Sequence, residues 1–180
     1  MKRILLLFSL FLFTSVGLTS FAFAQEWETP RIKGYGKVKY ISEAAEQPNP
    51  EDTYHLLFDI TSTKEKDGVN QRLWVMARTL NMFAVSGVPN ENIKLVGAIH
   101  GEATFIILTN EAYQNKYGTS NPNLDLINKL IAAGTQLYVC SQATESRGVS
   151  PDMVLPSITP SLSALSVLSN YQNRGFHLMP

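Results

Sequence analysis

The sequence contains one cysteine, Cys140, so the chain has no second thiol with which to close an internal disulfide. Lys and Arg together number 15, as do Asp and Glu, and this balance offers no excess positive charge for nucleic-acid phosphates. One cysteine and three scattered histidines lack the spacing of a metal site. The sequence also lacks a phosphate-binding loop and a G-x-S-x-G elbow. We therefore expect no cofactor, no metal and no nucleic-acid partner.

Long apolar runs are confined to the first residues. Lys2 and Arg3 precede the run "ILLLFSLFLF", and "AFA" ending at Ala24 has the small-x-small pattern of a signal-peptidase site. This order predicts a signal peptide over residues 1–24, cleaved after Ala24, and a periplasmic or secreted protein. A retained anchor is the weaker alternative, because the run is too short to cross a bilayer as a helix. We expect no stable membrane anchor.

The remainder of the chain has the length of one domain preceded by an arm. Residues 25–52 mix proline, glycine and charge without a sustained period, which predicts an irregular arm with room for a short strand at "GKVKYI". Its aromatic residues Trp27, Tyr35 and Tyr40 indicate that it docks on the domain or on a neighbouring subunit. The domain itself is expected over residues 53–180.

Apolar strand-like runs alternate with amphipathic stretches throughout this domain. Buried strands are predicted at 54–61, 92–101 and 136–140, a short edge strand at 152–158 and a final strand at 176–179. A helix is predicted after the first strand, with an apolar stripe over 69–84, Asp67 as its cap and Gly87 as its end. Residues 102–118 are ambiguous and favour a helix slightly. Further helices are expected at 121–134, capped by Asn121, and at 159–175, with Leu162, Leu165 and Leu168 buried.

This alternation predicts an α/β fold. Strand, helix and strand in sequence require right-handed crossovers, which produce a mostly parallel sheet with helices on both faces. In such a sheet, ligands bind outside the carboxyl ends of the strands.

Two polar side chains fall at that edge. His100 ends the second strand and Cys140 ends the third, and Arg147 follows within two helical turns. Amides after Cys140 and the charge of Arg147 would favour a thiolate. Structural alternatives remain open: Cys140 as a small apolar filler, His100 as a strand end bonded to backbone, and Arg147 as a solvated surface residue.

Several segments together resemble the DsrE/DsrF-like family, most of all its small exported members. They are "HGEA" after the second strand, "NPNLDLINKLIAAGTQLYVCSQ", "RGV" and the ending "SALSVLSNYQNRGFHLMP". The most specific element is a cysteine that ends a strand with Arg-Gly shortly after it, here Cys140, Arg147 and Gly148. This resemblance covers the chain from about Tyr54 to Pro180.

The resemblance implies a flavodoxin-like three-layer fold and homo-oligomers such as trimers or hexamers. It also implies a cysteine that carries sulfane sulfur as a persulfide, a role that falls on Cys140, with His100 at a recurring His-Gly. A sulfur carrier or sulfurtransferase would need a sulfur donor or acceptor protein as its partner. The alternative is a non-catalytic oligomeric binding or structural protein in which Cys140 is buried.

Overall fold

The computed structural model describes residues 26–180, so the predicted signal peptide and its cleavage site lie outside the described residues. In chain order the strands are β1 (Tyr54–Ile60), β2 (Glu65–Lys66), β3 (Val69–Asn70), β4 (Ile93–Ile99), β5 (Gln136–Cys140), β6 (Thr159–Ser161) and β7 (His177–Met179). The helices are α1 (Gln71–Val85), α2 (Asn110–Tyr117), α3 (Leu124–Ala132), α4 (Ser141–Ser146) and α5 (Ala164–Asn173).

Five of these strands form one parallel sheet in the order β6-β5-β4-β1-β7. One face packs against α1 and α3 in a large apolar cluster that includes Leu73, Leu80 and Leu126. The other face packs against α5 and the start of α4 in a smaller cluster that includes Leu57, Val96 and Cys140. The predicted α/β fold, with a mostly parallel sheet between helical layers, is confirmed.

The apolar stripe on α1 is part of the core, as predicted, but the predicted cap residue, Asp67, was wrong. Residues 69–70 pair with β2 as a small antiparallel hairpin, so the helix begins at Gln71. Asn70 is the cap, and its Oδ1 accepts from the amides of Arg72 at 2.9 Å and Leu73 at 3.4 Å. Asp67 lies in the hairpin turn, where its carboxylate accepts a 3.0 Å hydrogen bond from Trp74 Nε1.

The last helix starts later than the sequence suggested. Residues 159–161 extend the sheet as β6, and α5 begins at Ala164 after the cap Ser163. Because the helix begins later, the face of α5 that packs against the sheet consists of Ala164, Val167 and Tyr171. The expectation that Leu162 and Leu165 are buried was therefore wrong, because they are 74% and 73% exposed.

Three shorter elements also differ from expectation. The helix predicted from residue 121 begins at Leu124, because the Asn121 side chain instead donates to the carbonyls of Ile106 and Leu108. The ambiguous stretch forms a 3-10 helix at Gly101–Ile107 followed by α2. The edge strand falls at β6 rather than at 152–158, where Val154 makes only an isolated bridge to Leu108.

The arm docks on its own domain, and one buried side chain supplies four of the hydrogen bonds between them. Asn81 of α1 accepts from the amides of Arg31 at 2.9 Å and Ile32 at 2.8 Å, and donates to the carbonyls of Tyr35 at 2.8 Å and Gly36 at 3.1 Å. All four hydrogen bonds of the amide group are thus used on the arm. In place of a strand, the arm has a single bridge between Glu28 and Val38. Among residues 26–180, no helix has the length and apolar character needed to cross a membrane.

Candidate functional site

Three neighbouring strands bring polar side chains to one face of the sheet at its carboxyl edge. Side chains alternate between the two faces along a strand, and Leu57, Ala98 and Cys140 all belong to the smaller apolar cluster. Asp59 and His100, each two residues beyond a member of that cluster, therefore project to the same face. The last registered pair between β4 and β5 is Ile99 with Val139, so His100 and Cys140 follow on adjacent strands. Adjacent strands lie about 4.8 Å apart.

Cys140 is both the last residue of β5 and the cap residue of α4. Its thiol points towards Ser163 Oγ across a loose 4.0 Å contact. Ser163 in turn caps α5, with a capping box that it shares with Ser166. The sulfur therefore lies between the starts of two helices, and Cys140 as a residue is 6% exposed.

The surroundings of the sulfur act on its protonation in opposite directions. Burial raises the pKa of the Cys140 thiol, because it penalises the thiolate. The amides of Ala164, Ala143 and Gln142, together with the Ser163 hydroxyl, face the sulfur and favour its charged form. These donors prevail, and the pKa lies below its ordinary value. A thiol with these donors is better suited to nucleophilic chemistry than a cysteine surrounded by apolar groups alone.

His100 forms a hydrogen bond with Asp59, a residue that the sequence reasoning did not single out. His100 Nε2 lies 2.7 Å from Asp59 Oδ1, and the His100 amide donates to the Ile60 carbonyl at 3.0 Å. The backbone bond matches the structural alternative for His100, and the side-chain bond adds a second role. A carboxylate that accepts from Nε2 leaves Nδ1 as the ring atom available for proton exchange.

Arg147 makes its contacts away from the sulfur. Its Nη2 donates to Glu102 Oε1 at 3.0 Å, and its Nη1 donates to Ser146 Oγ at 3.3 Å. The same residue lines a cavity of about 390 Å³ between α2 and the loop after α4. The structure thus brings His100 and Cys140 to adjacent strands, whereas Arg147 is engaged in a separate ion pair. No cluster of three or more potential metal ligands occurs within residues 26–180.

Comparison with known proteins assigns the chain to a family. The family model of the DsrE/DsrF-like proteins matches residues 56–180. The chain belongs to the DsrE/DsrF-like family. Among solved structures, the protein of unknown function MTH1491 from Methanobacterium thermoautotrophicum is similar, with a TM-score of 0.54 and 16% identity over 70% of this chain and 97% of that one.

A second solved structure, the ychN protein from E. coli, has a TM-score of 0.47 and 12% identity over 70% of this chain and 97% of that one. No curated protein matches the sequence. The likeness to MTH1491 at this low identity bears on the fold alone, and it agrees with the parallel sheet described above. As a DsrE/DsrF-like protein, the chain carries its single cysteine at the carboxyl edge of that sheet.

Proposed function

We propose that this DsrE/DsrF-like protein is an exported sulfur carrier that holds sulfane sulfur on Cys140. The observation that carries the proposal is the position of this thiol between the starts of α4 and α5, with backbone amides directed at the sulfur. Oriented amides stabilise negative charge, and both a thiolate and a persulfide anion are negatively charged.

The transfer requires only sulfur exchange. The Cys140 thiolate attacks the outer sulfur of a donor persulfide, R–S–SH, so that a new S–S bond forms while the S–S bond of the donor breaks. The bonding electrons leave with R–S⁻, and the carrier becomes Cys140–S–SH. An acceptor thiolate then attacks that outer sulfur and releases the Cys140 thiolate, so the cycle consumes no external oxidant or reductant.

Export and self-association belong to the same proposal. The basic, apolar and small-x-small segments of residues 1–24 support export and cleavage after Ala24. Support for a homo-oligomer comes from Leu162, Leu165 and Leu178, which are large, apolar and exposed. N-terminal sequencing of the protein from its host tests the first, and light scattering of the cleaved chain tests the second. A mature chain that begins at Met1 contradicts export, and a monomer mass contradicts self-association.

The burial of Cys140 favours a second candidate, a non-catalytic protein with a packed thiol. Alkylation separates the two functions: reaction of the native protein near neutral pH supports the carrier, and reaction only after denaturation supports the packing role. The transfer test loads the protein with an alkyl persulfide, removes the donor, adds an acceptor thiol and measures the sulfur that arrives on it. Cys140→Ser should transfer none. Equal transfer by this variant and the wild type would overturn the proposal.

A further inference from the structure

We infer that Asp59 is a positioning residue that holds His100 as the proton donor to the thiolate that leaves during sulfur loading. This inference rests on the proposed function of Cys140 and assigns chemistry to two side chains beside it. His100 would be the catalytic residue, because its ring would touch the departing sulfur, whereas Asp59 would act through His100.

The first support is the arrangement of the strands. Asp59, His100 and Cys140 belong to β1, to the end of β4 and to β5, which are consecutive in the sheet, and they share one face. A nucleophile, an acid or base and an orienting carboxylate in this order have the form of an activated nucleophilic site. Among the side-chain hydrogen bonds of residues 26–180, the His100 ring takes part only in the one with Asp59. The ring is therefore not hydrogen-bonded to the Cys140 sulfur, whose recorded side-chain contact is with Ser163 Oγ.

The second support is that the pair is both fixed and accessible. Arg72 Nε donates to the Asp59 carbonyl at 3.3 Å, and the His100 amide is bonded to the Ile60 carbonyl, so both backbones are held. The side chains of His100 and Asp59 remain 26% and 39% exposed, enough for contact with a small donor. An exposed ion pair contributes little to stability, about 1 kcal/mol at most, so stability alone does not account for a charged pair at the carboxyl edge of the sheet.

The proton is needed because of the leaving group. An alkyl thiolate is basic, so loading from R–S–SH is completed when the His100 imidazolium gives its Nδ1 proton to R–S⁻ and becomes neutral. Asp59, which accepts from Nε2, holds the ring in the orientation that presents Nδ1 and fixes the tautomer after transfer. A donor whose leaving group is a sulfinate needs no such proton, because a sulfinate is a weak base. In that reaction the Cys140 thiolate takes the outer sulfur of an aryl thiosulfonate and releases the aryl sulfinate with the bonding electrons.

Comparing the two donors therefore distinguishes proton donation by His100 from a purely structural role, because a structural role would affect loading from both donors equally. Sulfur loading is measured by mass in wild type, Asp59→Asn and His100→Gln, with glutathione persulfide and with benzenethiosulfonate. Each variant should load from the persulfide on the order of 100-fold more slowly, the lower end of the range for general acid catalysis, while loading from the thiosulfonate stays within about twofold of wild type. Asp125→Asn is the matched control, because it removes a carboxylate from a 2.7 Å ion pair with Lys129 elsewhere on the molecule.

The outcomes separate the inference from the function it rests on. Wild-type rates from both donors in both variants, or equal slowing with both donors, would overturn the role of Asp59 and His100 while leaving Cys140 as the carrier. A wild-type protein that loads from neither donor would overturn the proposed function itself. Loading from the thiosulfonate also reports that each variant is folded, so a persulfide-specific loss is not a folding defect.

Discussion

Replacing Ala164 with proline should remove a donor that faces the Cys140 sulfur while leaving its helix in place. Burial opposes the thiolate, and the amide of Ala164 is the foremost of the donors that outweigh it. Ala164 is the first residue of α5, a position that tolerates proline because its N–H has no partner within the helix. The preceding Ser163 has φ −156° and ψ 151°, the extended conformation that a residue before proline prefers.

The size of the effect follows from the geometry. A hydrogen bond to a charged group contributes about 1.5–3 kcal/mol, and the loose contacts around this sulfur favour the lower figure. About 1.5 kcal/mol corresponds to roughly a tenfold smaller thiolate fraction at a pH below both thiol pKa values. A more basic thiolate is also more nucleophilic, with a Brønsted slope of about 0.4–0.5, which offsets part of that loss. The net expectation is that alkylation slows about fourfold.

The assay is the rate of alkylation by iodoacetamide, followed by intact mass across the pH range, together with the ultraviolet titration of the thiolate. Ala164→Gly is the matched control, because it changes the side chain at the same position and keeps the amide that faces the sulfur. The control should titrate close to wild type. If Ala164→Pro alkylates and titrates like wild type, or if the proline and glycine variants change equally, the amide of Ala164 does not stabilise the thiolate.

Three further outcomes are expected for stability. Asn81→Ala leaves four backbone partners without their hydrogen bonds, two of them buried, and should lower the free energy of unfolding by about 3 kcal/mol in urea. Asn90→Ala, which loses one exposed 3.0 Å bond, should change the free energy little, and equal effects would contradict the anchoring role. Gly97→Ala would place a methyl 2.8 Å from Leu137 Cδ2 and should cost about 1–3 kcal/mol by overpacking, and a neutral result in the same assay would mean that this part of the core can adjust. Because folding lowers the pKa of Cys140, its stabilising effect is present above the unfolded pKa and is lost as pH falls through the folded pKa. The stability of wild type relative to Cys140→Ala should therefore rise as pH increases towards about 8.5, the ordinary pKa of cysteine, and level off above it, and a constant difference would contradict the lowered pKa.

The central strands could be predicted because their signal is local. The runs that became β1, β4 and β5 are buried in a parallel sheet, so they read as nearly continuous apolar segments. The start of α5 could not be predicted in the same way. Thr159–Ser161 pairs with β5 in the fold, and that pairing across the sheet, which no local pattern encodes, decides which side of α5 faces inward.

The candidate site also contains residues that a local pattern indicates and residues that only long-range contacts identify. Cys140 and His100 could be placed on one edge because each ends an apolar run. Asp59 was missed because it lies within a strand of mostly apolar residues, and only the register of β1 with β4 shows that it meets His100. The sequence signal that could have identified Asp59 is a charged residue inside an otherwise apolar strand. The partner of Arg147, Glu102, likewise depends on a contact across 45 residues.

The most direct test of the central claim is the mass of the peptide that contains Cys140, from protein isolated without reductant and exposed briefly to a sulfane donor. The account predicts a gain of one sulfur, about 32 Da, on Cys140, removed by an acceptor thiol and absent from Cys140→Ser. A wild-type peptide that gains no sulfur, while a small thiol in the same tube does, would contradict the claim that this protein carries sulfur.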